Sequence, residues 1–311
     1  MEGVPTMPGV WWMFELVIYA SLIGGGALMA ELGLAMRLHK KTGLRAVAFG
    51  LVFIAWIVVF YGSFIEPKML FVDEYDIDLD VTGVDGELTI AVVSDIHLGP
   101  YKGERWAEKV TARLNEIDAE MILMPGDFIF SKTEDIEMLK SHGDIDLPVY
   151  SVLGNHDQEF GDLDIIVEKL NGWGLNVLRN RSVEVATNDG NNVDIAGIDD
   201  IWYTPSLASA FEGVDDDTFT ILIAHNPDVI LEDETTDADL VISGHTHGGQ
   251  IRLPWIGPVP PLPTKLGQKY DVGLFDFGDA NKLFITRGVG ETGPRARLFN
   301  PPTIDVLHIK Y

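Results

Sequence analysis

Residues 149–157 read Val-Tyr-Ser-Val-Leu-Gly-Asn-His-Asp: an apolar run breaks at Gly154, and Asn155, His156 and Asp157 follow at once. The same pattern recurs along the chain. Leu88–Val93 leads into Ser94-Asp95-Ile96-His97, and Met121–Met124 into Pro125-Gly126-Asp127. Phe219–Ala224 leads to His225, and Leu240–Ile242 to Ser243-Gly244-His245-Thr246-His247. Short apolar runs bounded by turn residues read as strands buried on both faces. Glu104–Ile117 carries helical spacing through Trp106, Val110, Leu114 and Ile117. Two hairpins are expected: Val183–Val185 with Val193–Ile198 through Asn188-Asp189-Gly190, and Leu274–Phe277 with Leu283–Thr286 through Gly278-Asp279. Ile304–Ile309 reads as a closing strand. Units of strand and helix mixed with hairpins predict an α/β sandwich rather than a TIM barrel.

In open α/β sheets, ligands bind beyond the carboxyl ends of the strands, so five such ends can converge on one site. Carboxylate, imidazole and amide oxygen are donors suited to Zn, Mn or Fe. Of the eight histidines, His97, His156, His225, His245 and His247 fall at these ends. His39 falls in a basic stretch, while His142 and His308 belong to no motif and read as a surface and a strand residue.

Asp95-x-His97, Gly126-Asp127, Gly154-Asn155-His156-Asp157, His225 and Gly244-His245-x-His247, in this order, resemble the signature of the calcineurin-like metallophosphoesterases, over nearly all of residues 70–311. Ser243–Gln250, Arg287-Gly-Val-Gly290 and Arg297-Leu-Phe-Asn-Pro301 are similar to a narrower group, the membrane-associated bacterial phosphoesterases and phosphodiesterases, some related to hydrolases of UDP-2,3-diacylglucosamine. The resemblance implies a four-layer α/β/β/α sandwich with two divalent metal ions (Mn, Zn or Fe). It implies that Asp95, His97 and His247 hold one metal, that Asn155, His225 and His245 hold the other, and that Asp127 bridges them. A hydroxide shared by the metals would then attack the phosphorus, with His156 as proton donor or charge stabiliser. The chain has no cysteine and no Gly-x-Ser-x-Gly elbow, in keeping with a reaction that needs no covalent enzyme intermediate.

One position departs from that pattern. Many members carry an acid three residues after the bridging aspartate, paired with the proton-donating histidine; here it is Phe130. The dyad is thus absent, or rebuilt with Asp157 as candidate partner. This weakens the case for a Ser/Thr protein phosphatase and favours a phosphodiesterase or lipid-type phosphoesterase.

The first 65 residues differ in kind. Val10–Ala30 carries one charge, Glu15, and Ala46–Ile65 carries none; each is long enough to cross about 30 Å of hydrocarbon. Ala20, Gly24, Gly26 and Ala30 would allow close helix packing, and Trp11, Trp12 and Tyr61 lie near the ends, where interfacial aromatics belong. Residues 1–66 therefore read as a two-helix membrane anchor and 67–311 as the phosphoesterase domain. Arg37, Lys40, Lys41 and Arg45 make the connecting loop basic, which predicts a multi-pass cell-membrane protein with the loop in the cytoplasm and the domain on the extracytoplasmic side.

The net charge is -26, and the stretch after residue 65 carries all of it, with 18 bases against 45 acids. Such a field repels nucleic acid and excludes it as a general partner. The expected partners are the membrane and a phosphoester substrate, lipid-linked in one version. Two alternatives compete: a pyrophosphate hydrolase of the UDP-2,3-diacylglucosamine type on the cytoplasmic face, and a catalytically silent scaffold of the same fold. The Pro-rich loop Leu253–Pro263, with Trp255 and Ile256, reads as a rigid loop or a lipid-facing rim.

Overall fold

The computed structural model describes residues 11–38, 42–79, 81, 85–215, 217–232, 235, 237–277 and 281–311. Two long helices, α1 (Trp11–Leu38) and α2 (Gly43–Phe64), precede everything else. Both are long and apolar enough to cross a membrane, and their apolar windows are almost wholly unburied by the rest of the chain. Helix α1 continues eight residues past the apolar run, because Glu31 to Leu38 are, apart from Gly33, good helix formers; apolarity marks the span and not the helix end. Trp56 Nε1 donates to Leu22 O at 2.8 Å between the helices. The close approach is made by Gly25, where an added Cβ would lie 3.1 Å from the Trp56 ring. Gly24 and Gly26, expected to serve this contact, have nothing within 4 Å. Lys40 and Lys41 lie outside the described residues, as do His39, Asp216 and the turn Gly278-Asp279.

The remainder is two six-stranded sheets. In chain order the strands are β1 (Phe71–Asp78), β2 (Glu87–Val92), β3 (Met121–Met124), β4 (Val149–Ser151), β5 (Leu175–Val177), β6 (Arg181–Ala186), β7 (Asn192–Gly197), β8 (Phe219–Ile223), β9 (Leu240–Ser243), β10 (Arg252–Leu253), β11 (Gly257–Pro258), β12 (Gly273–Phe277), β13 (Asn281–Ile285) and β14 (Thr303–Lys310). One sheet has the order β1-β14-β2-β3-β4-β5 and the other β12-β13-β9-β8-β7-β6, while β10 and β11 form a separate small hairpin. Strands β2 to β5 run parallel, and so do β7, β8, β9 and β13. Both expected hairpins are present, as antiparallel β6–β7 and β12–β13.

The strands are apolar on both faces because each faces two cores. Ile90, Val92, Met121 and Leu123 point between the sheets, where they meet Ile195, Ile221, Ile223 and Ile242. The alternate residues Ala91, Val93, Ile122 and Met124 pack outward against α3 (Glu104–Leu114) and α5 (Leu163–Gly172), through Trp106, Val110, Leu114, Ile166 and Leu170. On the far side Ala196, Leu222, Val241 and Leu283 pack with Leu207, Ala210 and Val229. Period-2 alternation between two apolar environments gives continuous apolar runs in sequence and four layers in space. His142 is fully buried and shares a 3.0 Å hydrogen bond with Thr111, which overturns its reading as a surface residue.

The helix pair is tied to the domain at the open end of the hairpin. Arg295 donates to Glu15 at 2.9 Å near the start of α1, and Arg297 N donates to Gly62 O at 2.8 Å near the end of α2. Glu66, just after α2, is buried and accepts from Asn300 N at 2.5 Å.

Candidate metal centre

The parallel strands put five carboxyl ends at one edge of the sandwich. Asp95 and His97 follow β2, Asp127 follows β3, His225 follows β8, and His245 and His247 follow β9. Asn155 and His156 open the short helix α4 (Asn155–Phe160) directly after β4. All eight are buried.

Their donor atoms fall into two groups. In the first, His97 Nε2 lies 3.1 Å from His247 Nε2 and 3.8 Å from Asp95 Oδ1, and His247 Nε2 lies 3.3 Å from Asp95 Oδ1. In the second, His225 Nε2 lies 3.1 Å from Asn155 Oδ1 and 3.2 Å from His245 Nδ1. Asp127 Oδ2 stands between them, 3.4 Å from His97 Nε2 and 3.2 Å from His225 Nε2. Bonds of about 2.0–2.2 Å to one cation set neighbouring donors about 3–3.5 Å apart, so both groups fit a divalent ion. Several of these atoms carry lone pairs with no proton to share, and a cation removes their mutual repulsion. The other ring nitrogens of the second group are spoken for: His225 Nδ1 donates to Pro125 O at 2.6 Å and His245 Nε2 to Pro263 O at 3.0 Å. Such bonds fix the tautomer that leaves the facing nitrogen free for a metal.

The electrostatics agree with this donor set at three of its four imidazoles. Burial, then neighbouring imidazoles, hold His97 and His247 well below the usual histidine range and His245 at about 3. Burial opposes a charge on His225 too, but the Asp127 carboxylate outweighs it and pushes that group to about 10. Burial also lifts Asp95 to about 6. Three of the four imidazoles are thus held neutral, the form that binds metals, whereas His225 keeps a proton against Asp127 that an arriving cation would displace.

The backbone is strained to achieve this. Asp95, His97, Asp127, His245 and His247 all have positive φ, between 48° and 68°, which non-glycine residues seldom adopt. The motif glycines allow the loops to touch. A Cβ at Gly154 would strike Asp127 Oδ1, and one at Gly244 would strike Asp95 Oδ2 and Ser94 Oγ. Asp127 Oδ1 accepts from His156 N at 2.8 Å.

His156 sits against the first group, its ring 4.5 Å from that of His97. Its Nδ1 is 2.6 Å from the main-chain oxygen of Phe130. The Phe130 carbonyl therefore holds the ring. Asp157 is not that partner: it accepts from Phe128 N, Ile129 N and Gly154 N at 2.9–3.1 Å and staples the loops after β3 and β4 together.

Three residues escaped the sequence reading. Asp200 follows β7, is nearly buried and is lifted to about 6 by burial, with the His225 charge acting against it. Trp202 packs edge-on to His245 at 4.9 Å, and Tyr203 donates to Asn155 O at 3.5 Å. The signal was present: Ile198-Asp199-Asp200 repeats the pattern of a strand followed by an acid, masked because the strand read as part of a hairpin.

Two mixed sheets whose parallel strands gather four imidazoles, two carboxylates and an amide at their carboxyl ends define a metal-dependent hydrolase of the α/β sandwich class. Residues 88–249, more than half of the chain, match the calcineurin-like phosphoesterase family, and the chain belongs to that family of metal-dependent phosphoric ester hydrolases. It is 30% identical over 238 residues to an uncharacterized metallophosphoesterase of Campylobacter jejuni, an alignment covering 75% of this chain and 62% of that protein. It is 31% identical over 216 residues to phosphodiesterase YaeI of Escherichia coli, covering 65% of this chain and 74% of that one. A transmembrane protein with metallophosphoesterase domain from Danio rerio is 24% identical over 319 residues, covering 96% of this chain and 70% of its own.

Proposed function

We propose that the protein is a membrane-anchored phosphodiesterase working with two divalent cations, Mn, Zn or Fe, held by Asp95, His97 and His247 on one side and Asn155, His225 and His245 on the other, with Asp127 shared. The observation that carries this reading is the position of Asp127 Oδ2, 3.4 Å from one imidazole group and 3.2 Å from the other. When bound, such a pair supplies an activated water and neutralises the charge that develops on the phosphoryl oxygens. The chain's own part is to position groups: the Phe130 carbonyl orients the His156 ring, so that Nε2 can hand a proton to the leaving oxygen.

Three observations favour a diester over a monoester. The protein's charge of -26 opposes a dianion more than a monoanion. The partner holding His156 is a neutral carbonyl rather than a carboxylate, which favours substrates with less demand for a proton donor. The name of the Escherichia coli relative points the same way. Anchoring is supported by α1 and α2, and by the name of the Danio rerio relative. Arg37 and Arg45, at the ends of the two helices that face away from the domain, favour a cytoplasmic loop and an extracytoplasmic domain. The division into an anchor (1–66) and a domain (67–311) belongs to the same reading.

The test is turnover of bis(p-nitrophenyl) phosphate and p-nitrophenyl phosphate by the detergent-solubilised full chain, with Mn²⁺, Zn²⁺ or Fe²⁺ added in turn. Diester hydrolysis that disappears with chelator and returns with metal is expected. Failure of every metal to support hydrolysis of either ester would overturn the proposal.

A further inference from the structure

The hairpin β10–β11 ends in an apolar tip that none of the described residues covers. Leu253, Trp255, Ile256 and Val259 are exposed, Trp255 completely so, and Phe299 beside the base of the hairpin is exposed as well. From Leu253 to Pro263 the sequence Leu-Pro-Trp-Ile-Gly-Pro-Val-Pro-Pro-Leu-Pro carries no charge, in a chain of net charge -26. Trp255 also has a φ of 65° and occupies the third position of a turn closed by Ile256 N to Leu253 O at 3.1 Å, after Pro254. That position ordinarily takes glycine. A bulky ring held in a disfavoured conformation and presented wholly to the outside contributes nothing to the core, so its use lies beyond the chain.

The hairpin is continuous with the open end of the helix pair. Arg252 N donates to Leu298 O at 2.9 Å, and the neighbouring Arg297 N donates to Gly62 O of α2. Arg295, two residues earlier, reaches Glu15 and Tyr19 of α1 and lies 4.5 Å from the Phe64 ring. One short segment, 295–299, thus touches both helices and the base of the hairpin. Trp255 is three residues from Arg252, about 10 Å of extended chain. That keeps the tip within reach of the interfacial layer that the helices would enter, where tryptophan partitions well. An acidic domain gains nothing from anionic headgroups, so it would meet the bilayer through an uncharged apolar element such as this one.

We propose that the Leu253–Val259 tip inserts into the lipid bilayer crossed by α1 and α2, as a third contact that fixes the orientation of the domain on the membrane. The far end of the same loop is Pro263, whose carbonyl accepts from His245 Nε2, so a tip seated in lipid would place the candidate metal centre at the headgroup surface. The inference rests on the membrane-anchor reading, and the experiment separates the two. Because the chain has no cysteine, each of three variants of the full chain carries a single nitroxide: Trp255→Cys at the tip, Leu51→Cys on the exposed face of α2, and Asn188→Cys in the β6–β7 turn, at the opposite end of the strands from the metal-binding residues. In phosphatidylcholine vesicles, the ratio of collisions with oxygen to collisions with a water-soluble nickel chelate is read for each. A ratio at 255 several-fold above that at 188, approaching that at 51, is expected. A lipid-like label at 51 with a water-like label at 255 overturns the tip insertion alone. A water-like label at 51 overturns the anchor and the insertion with it. A label at 255 shielded from both reagents means that protein covers the tip, either a second copy or another partner, and also overturns the proposal.

Discussion

Removing Asn155 and removing Asp127 should have different consequences for metal content, and the difference follows from geometry. Asn155 Oδ1 touches only the His225 group, at 3.1 Å, whereas Asp127 Oδ2 lies 3.4 Å and 3.2 Å from one nitrogen of each group. Asn155→Ala leaves Asp95, His97, His247 and Asp127 intact and takes one of four donors from the other cation. Loss of a partner that merely orients a ligand weakens metal affinity about 10–100-fold, so loss of a ligand should do at least as much. The weakened site should empty at metal concentrations that keep the first filled. Asp127→Ala removes a donor and the shared negative charge from both sites, which leaves two cations facing each other without a carboxylate between them. The assay is elemental analysis of the full chain after dialysis against graded Mn²⁺, alongside calorimetric titration. About two metals per chain are expected for the wild type, about one for Asn155→Ala and none for Asp127→Ala. Equal loss of both metals in both variants would refute the division of ligands.

His156→Ala should slow hydrolysis of diesters with poor leaving groups by about 10²–10⁴-fold and that of p-nitrophenyl diesters much less, because only the former require a positioned proton donor; kcat/KM across a leaving-group series checks it. Phe130→Asp should raise kcat/KM for a matched monoester relative to the diester by placing a carboxylate beside His156; a wild type that already prefers the monoester, with the preference unchanged by the substitution, would count against the carbonyl-held ring. His142 is buried and held at about 3, below its unfolded value near 6.5, so the folded state stays unprotonated while the unfolded state gains a proton. Its stabilising contribution is complete above about pH 6.5 and is lost as pH falls toward 3, by about 3–5 kcal/mol, so His142→Asn should flatten the acid side of the melting-temperature profile. Glu66→Ala should leave the buried Asn300 N–H without an acceptor and destabilise the protein by about 1–3 kcal/mol, measured as a fall in Tm in detergent.

The five strand ends are legible because burial on both faces forces apolar runs, and any polar residue that breaks such a run at the carboxyl end of a parallel strand lies at the rim. The same grammar fails at β7, where Asp199 and Asp200 follow a strand that pairs antiparallel with β6 on one side and parallel with β8 on the other. Only the first pairing is local enough to be read from a turn. The partner of His156 is invisible for a different reason. A side chain announces its chemistry in the sequence, but every residue has a carbonyl, and what makes the Phe130 oxygen the partner is the path of the loop after Asp127. The stapling role of Asp157 is hidden in the same way, since its three partners are backbone amides.

The motifs Arg287–Gly290 and Arg297–Pro301 resemble the membrane-associated group in sequence without any chemistry to explain them, and their contacts supply it. Val289 N and Gly290 N donate to the carbonyls of Ser94 and Asp95, which holds the strained loop carrying two metal-ligand candidates. Arg297 is completely buried and donates to the carbonyls of Arg287, Gly288, Gly290 and Asn300 at 2.5–3.2 Å, so one guanidinium closes the segment on itself. Asn300 Nδ2 donates to His247 O at 2.6 Å, while Asn300 N donates to Glu66 just beyond α2. The segment therefore grips the loops of Asp95 and His247 on one side and the end of the helix pair on the other. A guanidinium stripped of water is tolerated because the buried Glu291 carboxylate lies 3.6 Å from its Nε and its donors meet carbonyls in fixed directions, a fork that lysine cannot reproduce. The same residues that shape one half of the candidate metal centre are those on which the end of α2 is seated.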